Sequence, residues 1–266
     1  MRPQSLLAPV IVAALLTSSH SASAQGGPPL ITDDPFTPRA WHWEINTAFT
    51  RERGVAASAT ELPALDLNYG WGPRVQLKLE GPFRWVRSEL GNHHGAGNLL
   101  GGVKYRFADA YHGWAISTYP QLQIPLSGRS ASRLEGDSVW AFFLPVEAAH
   151  SHKSLEFATE IGYWFGPRPV REAAFGAVVG WTATTKDELV SECWAHGDAP
   201  FHPAAVICGV GFRRDIEEHV GLMASYEPVI GGSDPSRPDY LIYFGLQTHI
   251  RGGGFWRGAR RALIGK

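Results

Sequence analysis

Methionine and long apolar runs are scarce in this sequence, and each scarcity excludes a class of protein. Only 2 of the 266 residues are methionine, and no helical period of useful length recurs, which argues against a protein built of packed helices. After Leu16 no apolar stretch approaches the roughly 18 residues that a membrane-spanning helix needs. The formal net charge of −1 is not typical of a nucleic-acid-binding protein. No G-x-S-x-G motif is present, and the scattered serine and histidine residues do not indicate an enzyme.

The sequence does contain a strict alternation of apolar and polar residues. It is clearest in the stretch RVQLKLEGPFRW, residues 74–85. A period of two predicts an extended strand with one apolar and one charged face. The pattern recurs about twelve times, in segments of about ten to thirteen residues, which is the length a tilted strand needs to cross a bilayer. The 30 glycines and 19 prolines suit the turns between strands.

The connections between these strands alternate in predicted length, and aromatic residues end the apolar faces. Long connections are expected near residues 55, 92, 131, 169, 200 and 234, and short ones near 71, 110, 150, 185 and 215. We therefore predict an all-β fold, a transmembrane up-and-down antiparallel β-barrel of about twelve strands over residues 41–250, with a polar lumen. A secreted soluble β-protein is the more distant alternative. The aromatic residues expected at the membrane boundary are Trp41, Trp85, Phe107, Trp114, Trp140, Phe165 and Trp181.

Residues 1–24 contain the three parts of a secretory signal peptide in order. Arg2 provides the positive charge, Leu6 to Leu16 the apolar region, and Ala22-Ser23-Ala24 the cleavage site. The sequence therefore predicts export, with a mature chain that begins at Gln25.

The two ends of the mature chain lie outside the alternating pattern. Residues 25–40 are predicted to be an extended segment, and Asp33 and Asp34 within it suggest two interpretations. The segment either enters the lumen as a plug, its acids meeting Arg74, Lys78 or Arg106, or remains a loose periplasmic leader. The basic tail, residues 251–266, either lies on anionic head groups or is disordered.

The polar faces of the strands predict a lumen with charges of opposite sign on opposite sides. Such an arrangement creates a transverse field that screens solutes by polarity, or else the charges pair and fill a narrow barrel. Glycines on the same faces leave room and favour a passage. The candidate pore-lining residues are Arg74, Lys78, Arg84, Lys104 and Arg106 on the basic side, and Glu147, Glu156, Glu160, Glu192 and Glu227 on the acidic side.

Cys193 and Cys208 are the only cysteines, on the two strands of one predicted hairpin. In an exported chain a disulfide is the expected outcome. With His196 and His202 between them, a zinc site is the alternative that we consider less favoured. The pair His93-His94 is expected to be solvated. We predict no metal and no cofactor.

Five stretches resemble a known exported family. They are PPLITDDP (28–35), HWEIN (42–46), ELPALDLNYG (61–70), GNLLGGVKYRF (97–107) and STYPQL (117–122). They resemble the outer-membrane transporter family associated with the meta-pathway of phenol degradation. The resemblance implies an outer-membrane β-barrel that passes small solutes, aromatic or hydrophobic organic compounds among them. We expect a monomer in contact with outer-membrane lipids and inserted by the barrel-assembly machinery; a closed-lumen structural or ligand-binding barrel is the alternative.

Overall fold

The computed structural model describes residues 27–55, 57–89, 91–111, 113–126, 139–167, 171–198, 203–234 and 237–252. All regular secondary structure in these ranges is β-strand. No helix in the described ranges is long and apolar enough to cross a membrane. The predicted signal peptide and the tail after residue 252 lie outside these ranges.

Twelve strands make up the fold, two of them interrupted. β4 is divided at Gly97 and Asn98, and β5 is divided at Tyr119 and Pro120, where proline has no N–H to donate to a neighbouring strand. The strands are β1 His42–Gly54, β2 Ala57–Gly70, β3 Val75–Ser88, β4a Gly91–Ala96, β4b Leu99–Tyr111, β5a Trp114–Thr118, β5b Gln121–Ile124, β6 Ala141–His152, β7 Leu155–Phe165, β8 Ala173–Thr182, β9 Asp187–Gly197, β10 Ala205–Glu217, β11 Val220–Gly231 and β12 Pro238–Arg251.

The strands form a closed antiparallel barrel in which each strand pairs with its neighbours in the chain. Closure comes from β1 and β12, which pair from His42 opposite Arg251 to Arg53 opposite Tyr240. A closed barrel pairs the backbone amides within the sheet, as a lipid environment requires. The predicted number of strands, their antiparallel order and the closure of the sheet are confirmed.

Apolar side chains face outward and polar side chains face the lumen. On β3, Leu77, Leu79 and Phe83 are exposed, whereas Gln76 is buried and Lys78 is largely buried inside the barrel. A soluble barrel would have the reverse arrangement, because a continuous exposed apolar surface is unfavourable in water. The seven aromatic residues predicted at the membrane boundary, Trp41, Trp85, Phe107, Trp114, Trp140, Phe165 and Trp181, are all exposed.

Two predicted loops are absent. The connections near residues 55 and 92 consist of residues 55–56 and 89–90 alone, because the polar residues beside them continue the strand ladders. Elsewhere the connections differ between the two ends of the barrel. Residues 125–140, 166–172, 198–204 and 232–237 connect strands at one end, and the shorter 71–74, 153–154, 183–186 and 218–219 at the other. In outer-membrane barrels the longer connections lie on the extracellular side. We therefore call the end with the longer connections the outer end, and the other the periplasmic end.

A disulfide joins Cys193 on β9 to Cys208 on β10. The two residues are directly opposite in the ladder, their Cα atoms are 4.1 Å apart, and their sulfur atoms are bonded. Cys193 directly follows the buried, inward-facing Glu192, and Cys208 lies opposite Cys193 on the neighbouring strand. Both cysteines therefore lie on the outer face of the barrel. The bond therefore crosslinks two wall strands and contributes no thiolate to a metal site.

Replacing both cysteines by serine is expected to lower the free energy of unfolding without changing the fold. The crosslink closes a loop with a sequence separation of 15. A loop of this size is worth about 3 kcal/mol through the entropy of the unfolded chain. Urea unfolding in lipid vesicles measures the loss, and reduction of the unmodified protein should reproduce it. Equal midpoints for the oxidised, reduced and double-serine forms would contradict the expectation.

Candidate functional site

The lumen contains residues 27–36, which we call the lumen segment. It begins with a compact turn, in which the Gly27 N–H donates to the Thr32 carbonyl at 2.7 Å and the Leu30 N–H to the Gly27 carbonyl at 3.0 Å. Leu30 is buried, and Phe36 packs against the same small cluster of inward-facing wall residues. The wall residues of this cluster are Ala149, Ala158, Val178 and Val190. The segment is therefore anchored in part by an apolar contact.

The acidic wall binds the backbone of the lumen segment. The Glu192 carboxylate accepts hydrogen bonds from the N–H groups of Ile31 at 2.8 Å and Thr32 at 2.9 Å. On the neighbouring β11, the Ser225 hydroxyl donates to the Pro29 carbonyl at 2.8 Å. A carboxylate that accepts two backbone N–H groups makes charge-assisted hydrogen bonds, which are stronger than neutral ones. Glu192 thus holds the turn of the segment against β9.

Arg213 on β10 binds the start of the segment. Its Nε donates to the Pro28 carbonyl at 2.9 Å and its Nη2 to the Gly27 carbonyl at 3.0 Å. The third contact is a salt bridge from Nη1 to Glu188 at 3.0 Å. One guanidinium therefore connects the segment to two wall strands.

The basic wall binds the acidic side chain of the lumen segment. The Asp33 carboxylate lies 3.0 Å from Lys104 Nζ and 3.5 Å from Lys78 Nζ. Lys104 also pairs with the fully buried Glu147 at 3.1 Å and donates to the Asp34 carbonyl. Both ammonium groups lie over the ring of Tyr119, at 5.0 and 5.5 Å from its centre. Asp33 is thus held between two strands of the basic side.

The pKa values of the two aspartates of the segment are shifted in opposite directions. Burial alone would raise the pKa of Asp33, but the ammonium groups of Lys104 and Lys78 outweigh burial and hold that pKa well below its usual range. Burial raises the pKa of Asp34 well above its usual range, with only partial opposition from Lys104. Asp33 is therefore the ionised partner of the two lysines.

Glycines on the wall make room for the segment and do not leave an empty passage there. A Cβ atom at Gly176 would lie 2.7 Å from Thr32 Cγ2 and 2.8 Å from Thr32 Cβ. A Cβ atom at Gly211 would lie 3.2 Å from Pro29 Cγ. Because glycine has no side chain, the turn of the lumen segment packs closely against the wall at these two positions.

The other predicted pore-lining residues differ in depth. Arg74 is exposed in the turn between β2 and β3 and does not lie on a wall strand. Arg106 donates to the Pro73 carbonyl of the same turn at 2.7 Å, so it lies at the periplasmic rim. Arg84 lies toward the outer end and pairs with Glu52 and Glu61. The prediction that Arg74 lines the lumen was inaccurate, because the alternation in the sequence continues one residue beyond the strand, into the turn.

The remaining predicted acids are buried in the acidic wall. Glu156 accepts a hydrogen bond from Ser151 at 2.7 Å, and Glu227 is bonded to Ser225. Glu160 lies opposite Gly176 in the ladder between β7 and β8. All three are almost completely inaccessible. Together with Glu192 they form the buried acidic side of the lumen wall.

Sequence reasoning missed Arg213, Ser225 and Asp66. Arg213 continues the inward phase of Gly209 and Gly211, so a longer β10 would have revealed it. Ser225 and Asp66 follow the same period of two as the residues around them. Nothing in the local sequence indicates that Ser225 binds the lumen segment or that Asp66 pairs with Lys78.

A cavity of about 440 Å³ lies beside the lumen segment. Its polar lining includes Glu61, Asp66, Lys78 and Arg84, and Trp164 contributes an apolar surface. A smaller cavity of about 30 Å³ lies on the periplasmic side. The lining of both cavities includes Gly27, Pro28, Asp33, Asp66 and Lys78. The ion cluster around Lys78 therefore separates two cavities along one side of the segment.

Metal-binding groups of three or more His, Cys, Asp or Glu side chains are absent from the described part of the chain. His93 and His94 are adjacent on β4a and therefore point to opposite faces, with His94 on the outer face, so the pair does not converge on one point. His196 Nδ1 lies 2.7 Å from Glu172, while His202 lies outside the described residues.

A closed antiparallel barrel with an apolar exterior and a polar lumen defines the outer-membrane β-barrel class. The fold is similar to that of an outer membrane channel from Pseudomonas putida F1, with a TM-score of 0.64 and 13% identity over 82% of this chain and 98% of that chain. The NanC porin (TM-score 0.55, 10% identity) and the KdgM porin (TM-score 0.54, 11% identity) are also similar, each over 77% of this chain and 98% of theirs.

Neither a family model nor a curated protein matches the sequence. At these identities the three structures establish a shared fold. The chain thus has the fold of a porin-like outer-membrane barrel, which confirms the architecture that the sequence resemblance implies.

Proposed function

We propose that the chain is an outer-membrane channel for passive passage of small solutes, and that the lumen segment is a plug that narrows it. The observation that carries the proposal is the cavity of about 440 Å³ beside the segment. Solutes would pass on the side of β1–β4, where Lys78 and its acidic partners form the constriction. Export by the signal peptide of residues 1–24 would deliver the chain to the outer membrane.

The lining of the cavity supports small organic compounds as solutes, aromatic or hydrophobic ones among them. Leu100 and Trp164 contribute apolar surface, and Glu61, Asp66 and Arg84 contribute polar groups. Organic ligands favour sites with a largely apolar lining and a few polar groups.

A closed-lumen barrel is the second candidate, and the contacts of the segment favour it. Glu192, Arg213 and Ser225 bind four backbone carbonyl or N–H groups in residues 27–31, and Glu192 binds a fifth at Thr32. In that case the segment would seal the barrel permanently. Conductance separates the two candidates.

The folded protein in planar lipid bilayers is expected to conduct ions and to prefer cations. Four acids, Asp33, Glu61, Asp66 and Glu80, face the cavity against two bases, Lys78 and Arg84. A pore with excess negative charge concentrates cations. Reversal potentials in a salt gradient measure the preference, and Lys78→Gln should increase it.

Arg74→Gln is the matched control for the selectivity measurement, because Arg74 is exposed in the turn between β2 and β3 and does not line the cavity. Its selectivity should equal that of the unmodified protein. An absence of channel events from correctly folded protein would exclude passage of ions and support the closed barrel. Equal selectivity for all three proteins would show that the route does not pass Lys78.

A further inference from the structure

The outer face of β1–β4 carries a basic band directly above the apolar band, at the outer end of the barrel. The strand register places these outward-facing residues in rows. The upper row contains Arg53, Ser58, Arg87 and Asn92, and the row below it contains Arg51, Thr60, Trp85 and His94. Phe49 and Phe83 lie beneath them, in the apolar band.

The arginines of the upper row are exposed and separated by a short side chain. Arg53 and Arg87 flank Ser58 on adjacent strands, so their Cα atoms lie about 10 Å apart at the usual strand spacing. Arg51 is directed along the wall, where its Nη1 is 3.4 Å from the Thr60 hydroxyl. Arg53 and Arg87 are exposed on the outer face, where a ligand that approaches from the membrane can reach them.

Two acidic residues beside this band on the strands are directed away from it, and Glu89 lies beyond the rows, exposed in the turn after β3. Glu52 follows Arg51 in the sequence, but it points inward and pairs with Arg84 at 3.5 Å. Glu61 also faces inward and binds Arg84 at 3.4 Å. Neither of the two rows contains an acid. The charged side chains within the two rows are therefore all basic.

We propose that Arg53 and Arg87 bind the phosphate groups of a lipid A head group in the outer leaflet. A guanidinium matches the geometry of a phosphate oxygen pair and binds it with two parallel hydrogen bonds. Trp85 lies at the level where aromatic rings meet head groups, and Phe49 and Phe83 are positioned to contact acyl chains. Charge complementarity, and the apolar band immediately below it, select a phosphorylated glycolipid.

Titration of the folded full-length chain in detergent with bisphosphorylated lipid A, followed by native mass spectrometry, tests the proposal. Loss of one charge-assisted pair corresponds to a loss of about tenfold in affinity. We therefore expect Arg53→Gln and Arg87→Gln each to weaken binding of lipid A by about tenfold. The double variant, which carries both substitutions, should bind phosphorylated lipid A as weakly as the unmodified protein binds dephosphorylated lipid A. Heat-modifiable gel mobility verifies that each variant is folded.

Arg214→Gln is the matched control. Arg214 also lies on the outer face, but at the periplasmic end, where it pairs with Asp187 at 3.2 Å. This variant should bind lipid A like the unmodified protein. Equal affinity for phosphorylated and dephosphorylated lipid A would overturn the proposal. So would unchanged binding by the double variant, or equal binding of phosphatidylglycerol, which would indicate a general attraction to anionic lipids. None of these outcomes depends on whether the lumen conducts.

Discussion

Gly176→Val is expected to displace the lumen segment and raise single-channel conductance severalfold. The new Cβ would lie within 3 Å of two carbon atoms of Thr32, closer than carbon atoms approach in folded proteins. Gly176 lies inside β8, paired with Glu160 on one side and Trp194 on the other. Because the wall is held by two ladders and the segment by none, the segment moves.

The displacement also disrupts the principal anchor of the segment. Thr32 provides one of the two N–H groups that Glu192 binds, at 2.9 Å. A shift of Thr32 therefore weakens that charge-assisted hydrogen bond as well as the packing of the turn. Conductance in planar bilayers measures the outcome, and protease added from the periplasmic side should cleave the released segment faster.

Gly221→Val is the control for the added side chain. Gly221 also faces the lumen, on β11, but the atoms nearest to a Cβ there lie 3.8 Å or more away. The control should retain the conductance of the unmodified protein. If both variants retained it, the lumen segment would not restrict the passage, and the proposed role of residues 27–36 as a plug would be wrong.

The faces of the strands could be predicted from the sequence because alternation is local. In the stretch of residues 74–85, each side chain has the face assigned to it by the period of two, except at its first residue, Arg74. A period shows neither where a strand ends nor how deep in the lumen a residue lies. A long connection is accordingly expected near residue 92, yet residues 91–96 form β4a.

The contacts of the lumen segment could not be predicted, because they join residues far apart in the chain. Thr32 meets Glu192 and Gly176, and Arg213 meets Gly27, and only the closed barrel brings these residues together. The prediction placed the acids of the segment near Lys78, Arg74 or Arg106. Lys78 does pair with Asp33, but the second partner of Asp33 is Lys104, because Arg74 and Arg106 are at the rim.

Lys104→Gln is expected to destabilise the barrel by about 3–5 kcal/mol, the usual loss when one partner of a buried ion pair is removed. The Lys104 side chain is 1% exposed, and Glu147, its partner at 3.1 Å, is 0% exposed. Asp33 loses the nearer of its two ammonium groups in the same substitution. Two carboxylates are then left inside the lumen with one direct cation fewer.

Two further variants separate this buried charge effect from the general cost of altering the lumen wall. Lys104→Gln combined with Glu147→Gln removes both charges of the pair and leaves Lys78 for Asp33, so most of the lost stability should return. Arg84→Gln removes a more accessible lumen cation and should cost about 1 kcal/mol or less. Urea unfolding in lipid vesicles compares the free energies. If Lys104→Gln cost no more than Arg84→Gln, the pair of Lys104 and Glu147 would not stabilise the lumen, and the carboxylates around the segment would be neutralised by protons in its place.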